Sequence, residues 1–196
     1  MKIKRLLEKA IKQLRENNVQ EPAAGIAKRL LAFTLDVSKE YLIVHDEEEV
    51  QEKIVERYNE YIKQIVQGRP VQYILGKQEF MGIEFLVNEN VLIPQPDTEI
   101  LVEQTIKIAQ NYEKPSLLDL CTGSGAIAIS IAHYLPNSLV FASDISKQAL
   151  DIAKQNDKQS KVTFIESNLF ENITQKFNII TSNPPYIKTK EIRKPT

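Results

Sequence analysis

Asn183-Pro184-Pro185-Tyr186 is the stretch of this sequence best placed to do chemistry. It follows Phe177-Asn178-Ile179-Ile180-Thr181-Ser182, a short apolar run that reads as a buried β-strand over 177–181. Two consecutive prolines cannot continue a ladder, so the strand stops and presents Asn183 at its carboxyl end. In open α/β sheets that end is where ligands bind. A strand-terminating turn or a proline-rich docking motif would account for a lone Pro-Pro. The whole tetrapeptide in this register points instead to a site that holds a polar group.

A second candidate, Asp119-Leu120-Cys121-Thr122-Gly123-Ser124-Gly125, joins an apolar strand to an apolar helix. Its glycines permit a tight turn and let a ligand approach the backbone closely. Read as Gly123-x-Gly125-x-x-Ala128, with Asp144 about 20 residues on, it also satisfies a dinucleotide fingerprint, so an oxidoreductase competes on this evidence. Three details favour S-adenosylmethionine. Asp119 precedes the loop, inside the strand, where it can hold the loop or meet an ammonium group. Asp144 ends the second strand and can accept both ribose hydroxyls; it can also serve the start of a helix capped by Ser146. Asn183 to Tyr186 ends the fourth strand beside the first, where the reactive end of a methyl donor would point. Hydride transfer has no use for such a motif.

Those residues need elements to position them. After Pro115 the chain alternates strand and helix, the signature of a parallel, doubly wound sheet. Strands are expected at 117–120, 139–142, 162–165 and 177–181, with helices at 126–135 and 146–154. Before them, Pro94 and Pro96 bracket Gln95, and a helix starts near Asp97-Thr98-Glu99 with Ile100, Leu101, Thr105 and Ile108 as its apolar positions. The stretch 80–87 is rich in β-formers with Gly82 as a turn, and reads as a hairpin between two domains. The first part is helical: Ile3, Leu6, Leu7, Ala10, Ile11 and Leu14 recur at helical spacing, Pro22 opens a second helix, and 38–43 gives one more short turn. Asp46 with Glu49 forms a capping-box-like start for a helix carrying Val50, Ile54, Tyr58, Tyr61, Ile62 and Ile65, stopped by Gly68 and Pro70.

With 196 residues, 42% apolar and 26% charged, the chain can build one good core or a small domain attached to a larger one. A net charge of −1 and a pI near 6.2 argue against a nucleic-acid coat or a membrane-surface protein. The one basic run, Lys188 to Lys194, reads as a solvated tail. Cys121 is the single cysteine, which excludes an internal disulfide and suits a reducing compartment. His45 and His133 lie far apart, so no metal-ligand spacing exists, and His133 on its apolar helix reads as a packing residue. With a charged helix at the N-terminus and no membrane-length apolar run, a cytoplasmic protein is expected.

These motifs resemble the PrmC/HemK family, which methylates the side-chain amide nitrogen of a glutamine in peptide chain release factors. The similarity covers nearly the whole chain: the helical N-domain, GRPVQYILGKQEFMGIEF, VLIPQPDTEILVE, LLDLCTGSGAIAISIA, Asp144-Ile145-Ser146 and NPPYI. The resemblance implies an α/β protein with a helical substrate-binding bundle (1–77), a β-hairpin linker (78–93) and a class I, Rossmann-like methyltransferase domain (94–196). It further implies S-adenosyl-L-methionine as cofactor, with Asp119 and the loop from Cys121 through Thr122, Gly123 and Ser124 to Gly125 around its methionine end. Asp144 would take the ribose, and Asn168 and Leu169 would flank the adenine. Asn183, Pro184, Pro185 and Tyr186 would hold the substrate glutamine, release factors being the partner.

The pattern departs in three places. Gln95 stands where the family usually carries arginine, and Asn168 where aspartate is usual. The family also continues with further strands and helices beyond NPPYI, whereas this chain stops at Thr196. The fourth strand is then expected to be a sheet edge with an uncovered apolar face, the mark of a truncated domain. An adenine-N6 nucleic-acid methyltransferase shares only the tetrapeptide and the cofactor fold and is set apart by the helical N-domain, while the stretch ending in Pro-Asp-Thr-Glu separates the family from the related ribosomal-protein glutamine methyltransferases. The third reading is a non-catalytic remnant that binds cofactor without turnover.

Overall fold

The computed structural model describes residues 1–19, 21–159 and 161–185. Two compact units emerge, Met1–Gly76 and Lys77–Thr196. The first consists of helices α1 (Ile3–Glu16), α2 (Ala23–Leu35), α3 (Tyr41–Val44), α4 (Glu52–Val66) and α5 (Val71–Leu75). The periodic apolar positions meet in one core that includes Leu6, Leu14, Leu30, Leu42, Tyr58 and Ile62. Tyr58 is fully buried, and its hydroxyl donates to the Ala27 carbonyl at 3.1 Å, so the ring's polar end is satisfied inside.

One local expectation fails here. α4 starts at Glu52 after Gln51, not at a capping box on Asp46 and Glu49. The stretch before it is extended and bonds to the N-terminus: Ile3 donates to the Glu48 carbonyl, Lys4 to that of Asp46, and Val50 to that of Met1, with Lys2 bridging Glu49. These long-range backbone bonds outweigh a local capping preference. α4 ends at Val66, just before the Gly68 and Pro70 expected to stop it, and the short helix α5 follows with Pro70 just before its first turn.

The second unit opens with an antiparallel hairpin, β1 (Lys77–Phe80) and β2 (Ile83–Leu86). Met81 and Gly82 both have positive φ (+51° and +70°), the conformation that a tight two-residue turn requires. Met81 is held on both sides: its N–H donates to Glu99 Oε1 at 2.7 Å, and its carbonyl accepts from the Tyr134 hydroxyl at 2.8 Å.

A single 3₁₀ turn, Pro96–Thr98, leads into α6 (Glu99–Ala109). Then follow β3 (Ser116–Leu120), α7 (Ala126–Tyr134), β4 (Leu139–Asp144), α8 (Lys147–Asn156), β5 (Val162–Glu166) and β6 (Ile179–Ser182). The four strands pair in parallel in the order β5-β4-β3-β6. Strand order therefore reverses between β3 and β6, and such a switch point opens a crevice at the carboxyl ends of the strands. α7 is buried along nearly its whole length, and its side chains join Phe80, Phe85, Val102, Leu117 and Val140 in one core.

Three further differences matter. The buried face of α6 is Val102, Thr105 and Ala109, whereas Ile100 and Ile108 are exposed. Thr105 is admitted to that face because its hydroxyl donates to the Leu101 carbonyl. The last strand starts at Ile179 rather than 177: Phe177 packs edge-on against Phe141 at 5.3 Å, and Asn178 bonds to Ser116 through both its backbone N–H and its side-chain oxygen. His133 is exposed, its ring edge-on to Tyr134, so it is not a core residue. Among the described residues β6 pairs with β3 alone, and Ile180 is 49% exposed. No helix among them is long and apolar enough to cross a membrane. The basic run Lys188 to Lys194 lies outside the described residues.

Candidate functional site

The register of β6 on β3 decides what meets at the crevice. Leu120 pairs with Ser182, so Cys121 and Asn183 leave the sheet side by side. One pair back, Asp119 faces Thr181. Asp119 is 1% exposed; its Oδ2 accepts from Thr122 Oγ1 at 2.5 Å and its Oδ1 from Thr181 Oγ1 at 3.2 Å. One carboxyl thus ties the loop to β6. Burial pushes it up to about 7, opposed by the bonds from Thr122, Thr181 and the Ala128 backbone. Of the two roles open to Asp119 in the sequence, holding the loop is the one its contacts display.

The loop is strained into shape. Cys121, Gly123 and Gly125 have φ of +63°, +55° and +80°. Thr122 donates its N–H to the Ser143 carbonyl, and Gly123 donates its own to Asp144 Oδ2 at 2.9 Å. Asp144 Oδ1 accepts from the Ser146 N–H at 2.9 Å, while Ser146 Oγ caps α8 by accepting from Ala149. Asp144 therefore anchors the loop as well as the helix start, and each oxygen keeps a second lone pair. Burial pushes the Cys121 thiol up, and Ser182 opposes that through a hydrogen bond.

A cavity of about 60 Å³ opens between these elements, with Asn183, Thr98, Pro94, Cys121, Gly123 and Ser124 in its wall. Thr122 lines it too, so the glycine turn and the terminal amide share one space. Asn183 Nδ2 donates to Thr98 Oγ1 at 3.0 Å. Gln95, which also lines the cavity, donates to the Ile93 carbonyl. Asn168 and Leu169 stand apart at the end of β5: Asn168 donates to Glu171, and Leu169 is 55% exposed with φ +51°. Pro184 and Pro185 are exposed, and Tyr186 lies outside the described residues.

Two contributors were not read from the sequence. Thr98 is one. Asn156 is the other: its buried amide accepts from the Leu86 N–H at 2.7 Å and donates to the carbonyls of Leu86 and Ser124, both at 3.0 Å. It clamps the hairpin to the glycine loop. The available signal was its position, one turn after Ala153 and two after Ala149 and Leu150 on the apolar face of α8.

Residues 5–76 match the model of the PrmC N-terminal domain, and residues 95–195 that of the Methyltransferase small domain. A Release factor glutamine methyltransferase from Clostridium acetobutylicum is 40% identical, covering 99% of this chain and 70% of that protein. One from Koribacter versatilis is 39% identical, over 95% and 68%. The chain belongs to the release factor glutamine methyltransferase family. A further relative, from Fusobacterium nucleatum, is 38% identical over 95% of this chain, which spans only 54% of that protein's length.

The cofactor of such a methyltransferase is S-adenosylmethionine, and the loop of this family member can be tested for the room it leaves. At Gly125 an added Cβ would sit 2.9 Å from Ile129 Cδ1 and 3.1 Å from Ala153 Cβ. That glycine serves packing. At Gly123, which lines the cavity, an added Cβ would meet nothing within 4 Å among the described residues. The space there is kept by the turn and not filled by any described residue, so the loop fits a ligand at its backbone.

The contrast predicts different failures. Gly125→Ala should lower the melting temperature by several degrees, since left-handed φ and the close approach of the Ile129 and Ala153 side chains oppose it. Gly123→Ala should melt closer to wild type yet weaken S-adenosylmethionine binding by about tenfold or more in calorimetry. Equal effects on both properties would contradict the assignment.

Asp119 predicts a pH dependence. Its carboxyl, raised from 3.8 to about 7, stays protonated in the folded chain where the unfolded chain is already ionised. The folded state holds the extra proton in that window, so this contribution is full below 3.8 and is lost as pH rises through about 7. Urea midpoints measured across that range should fall on this account by an amount worth on the order of a few kcal/mol, and Asp119→Asn should flatten the decline.

Proposed function

We propose that this chain transfers a methyl group from S-adenosylmethionine to the side-chain amide nitrogen of a glutamine in peptide chain release factors. The observation that carries the proposal is the shared cavity, onto which both the Asn183 amide and the Gly123 turn open. The curated names of its relatives supply the substrate class. In this reading the helical residues 1–77 recognise the release factor, 78–93 form the linking hairpin, and 94–196 carry the chemistry, in the cytoplasm.

Asp119 and the loop from Cys121 to Gly125 form the wall around the methionine end, Asp144 takes the ribose, and Asn168 and Leu169 lie along the adenine. When bound, the cofactor supplies an electrophilic methyl group: the amide nitrogen forms the new N–C bond as the C–S bond breaks with its electrons going to sulfur, and one amide proton leaves to water.

An amide nitrogen is a poor nucleophile because its lone pair is delocalised into the carbonyl. The residues must therefore supply orientation. Asn183 Oδ1 and the Pro184 carbonyl are suited to accept the two N–H groups of the substrate amide, which aims the nitrogen. Tyr186 is assigned by its place in the tetrapeptide to pack on the flat amide. Fixed orientation of this kind can be worth effective molarities of ~10⁵–10⁸ M. No strong base is needed before transfer. The exposed end of such a site needs partner surface to exclude water, and a dry site favours dispersal of the sulfonium charge.

The test is mass spectrometry of a release factor incubated with the chain and S-adenosylmethionine. One added methyl on a glutamine is expected, with the rate reduced about 10²-fold or more in Asn183→Ala. Cofactor binding without any such product, under conditions where a full-length relative succeeds, would mark this chain as a non-catalytic remnant.

A further inference from the structure

One peptide unit of the glycine turn is held at both of its ends. The Gly125 N–H donates to the Thr122 carbonyl at 2.9 Å, closing a tight turn over residues 122–125. The carbonyl of that same unit belongs to Ser124 and accepts from Asn156 Nδ2 at 3.0 Å. Ser124 lines the cavity, whereas Asn156, the last residue of α8 and 6% exposed, is outside its wall. The same carboxamide accepts from the Leu86 N–H at 2.7 Å and donates to the Leu86 carbonyl at 3.0 Å.

All three partners are backbone groups of fixed polarity. An N–H only donates and a carbonyl only accepts, so Oδ1 must face the Leu86 N–H and Nδ2 the two carbonyls. α8 supports the turn at a second point as well. A Cβ at Gly125 would lie 3.1 Å from Ala153 Cβ, so this glycine rests on the helix three residues before Asn156, on the same face. At the other end of the turn, Asp144 takes the Gly123 N–H and the Ser146 N–H together. From Leu86 the chain runs through buried Val87 and Val91 to Leu92, Ile93, Pro94 and Gln95, which form part of the cavity wall. One side chain therefore ties the backbone that leads to that wall to the backbone of the glycine turn.

We propose, resting on the reading of the loop from Cys121 to Gly125 as the cofactor wall, that Asn156 is a positioning residue for S-adenosylmethionine. It keeps the Ser124–Gly125 peptide in the one orientation the cofactor binds, and it does so before the cofactor arrives. Rotation of that peptide costs less once the bond from Asn156 is gone, because glycine accepts either sign of φ and Gly125 already stands at +80°. The free loop then divides its time among conformations, and affinity falls by the fraction that remains competent. Aspartate in place of Asn156 has the same shape and can still accept from Leu86, but it has no donor for either carbonyl.

The experiment measures S-adenosylhomocysteine binding by calorimetry and amide hydrogen exchange in the ligand-free chain, with melting temperatures alongside. Wild type, Asn156→Ala, Asn156→Asp and Leu150→Ala are compared below all their melting transitions, and Asn156→Ser replaces an Asn156 variant that does not fold. Leu150 is 2% exposed on the same helix, so its truncation lowers stability through packing. Both Asn156 variants should bind about tenfold or more weakly than wild type, and their Gly125 amide should exchange about tenfold faster while the amides of β3 stay protected. Leu150→Ala should keep the wild-type affinity within about threefold, however far its melting temperature falls. Folded Asn156 variants that bind no more weakly than Leu150→Ala, or that leave Gly125 exchange unchanged, overturn the inference alone. A wild type that does not bind S-adenosylhomocysteine overturns the parent reading of the loop, and this inference with it.

Discussion

The parallel pairing of β6 on β3 is the constraint on which the site depends. It sets Asp119 opposite Thr181 and Leu120 opposite Ser182, so the two chain segments that leave the sheet do so at one level. Side chains reinforce the register: Thr181 donates to Asp119, and Ser182 donates to the Leu120 carbonyl at 2.8 Å. A slip of one residue would turn Thr181 and Ser182 to the opposite faces and break both bonds. It would also separate Asn183 from the glycine turn.

Asp119 is the point at which this constraint meets energetics. A carboxyl with 1% exposure is expensive to ionise, and its hydrogen bonds from two threonines and the Ala128 backbone only partly offset that. The arrangement gives up some stability at neutral pH to hold a loop whose backbone adopts left-handed φ at Cys121, Gly123 and Gly125. Asp144, Ser143 and Asn156 hold the same loop from three other sides. The result is a rigid turn beside an open space, which is what recognition at the backbone requires.

The alternation of strand and helix after Pro115, the glycine loop and the terminal tetrapeptide were legible in the sequence because each depends on local residue type. Ser146 was readable as a cap for the same reason. What was missed depends on partners distant in the chain. Nothing near Asp46 announces that its segment pairs with residues 1–4 and not with the following helix. Asn178 and Phe177 read as strand residues, yet their contacts with Ser116 and Phe141 end the ladder at Ile179. Thr98 and Asn156 look like ordinary polar residues until the fold brings Asn183, Leu86 and Ser124 to them. Of the apolar positions chosen for α6, Leu101 and Thr105 do meet the core, but Ile100 and Ile108 do not, because composition alone does not say which side of a helix faces inward.

The account rests on one crevice serving two ligands, a sulfonium nucleotide and a carboxamide. A crystal structure of the chain with S-adenosylhomocysteine tests this most directly. The account predicts the homocysteine end against the turn at Gly123, its sulfur facing Asn183 across the cavity now about 60 Å³ in volume. Density for the nucleotide on another face of the sheet, or a sulfur directed away from residue 183, would contradict it.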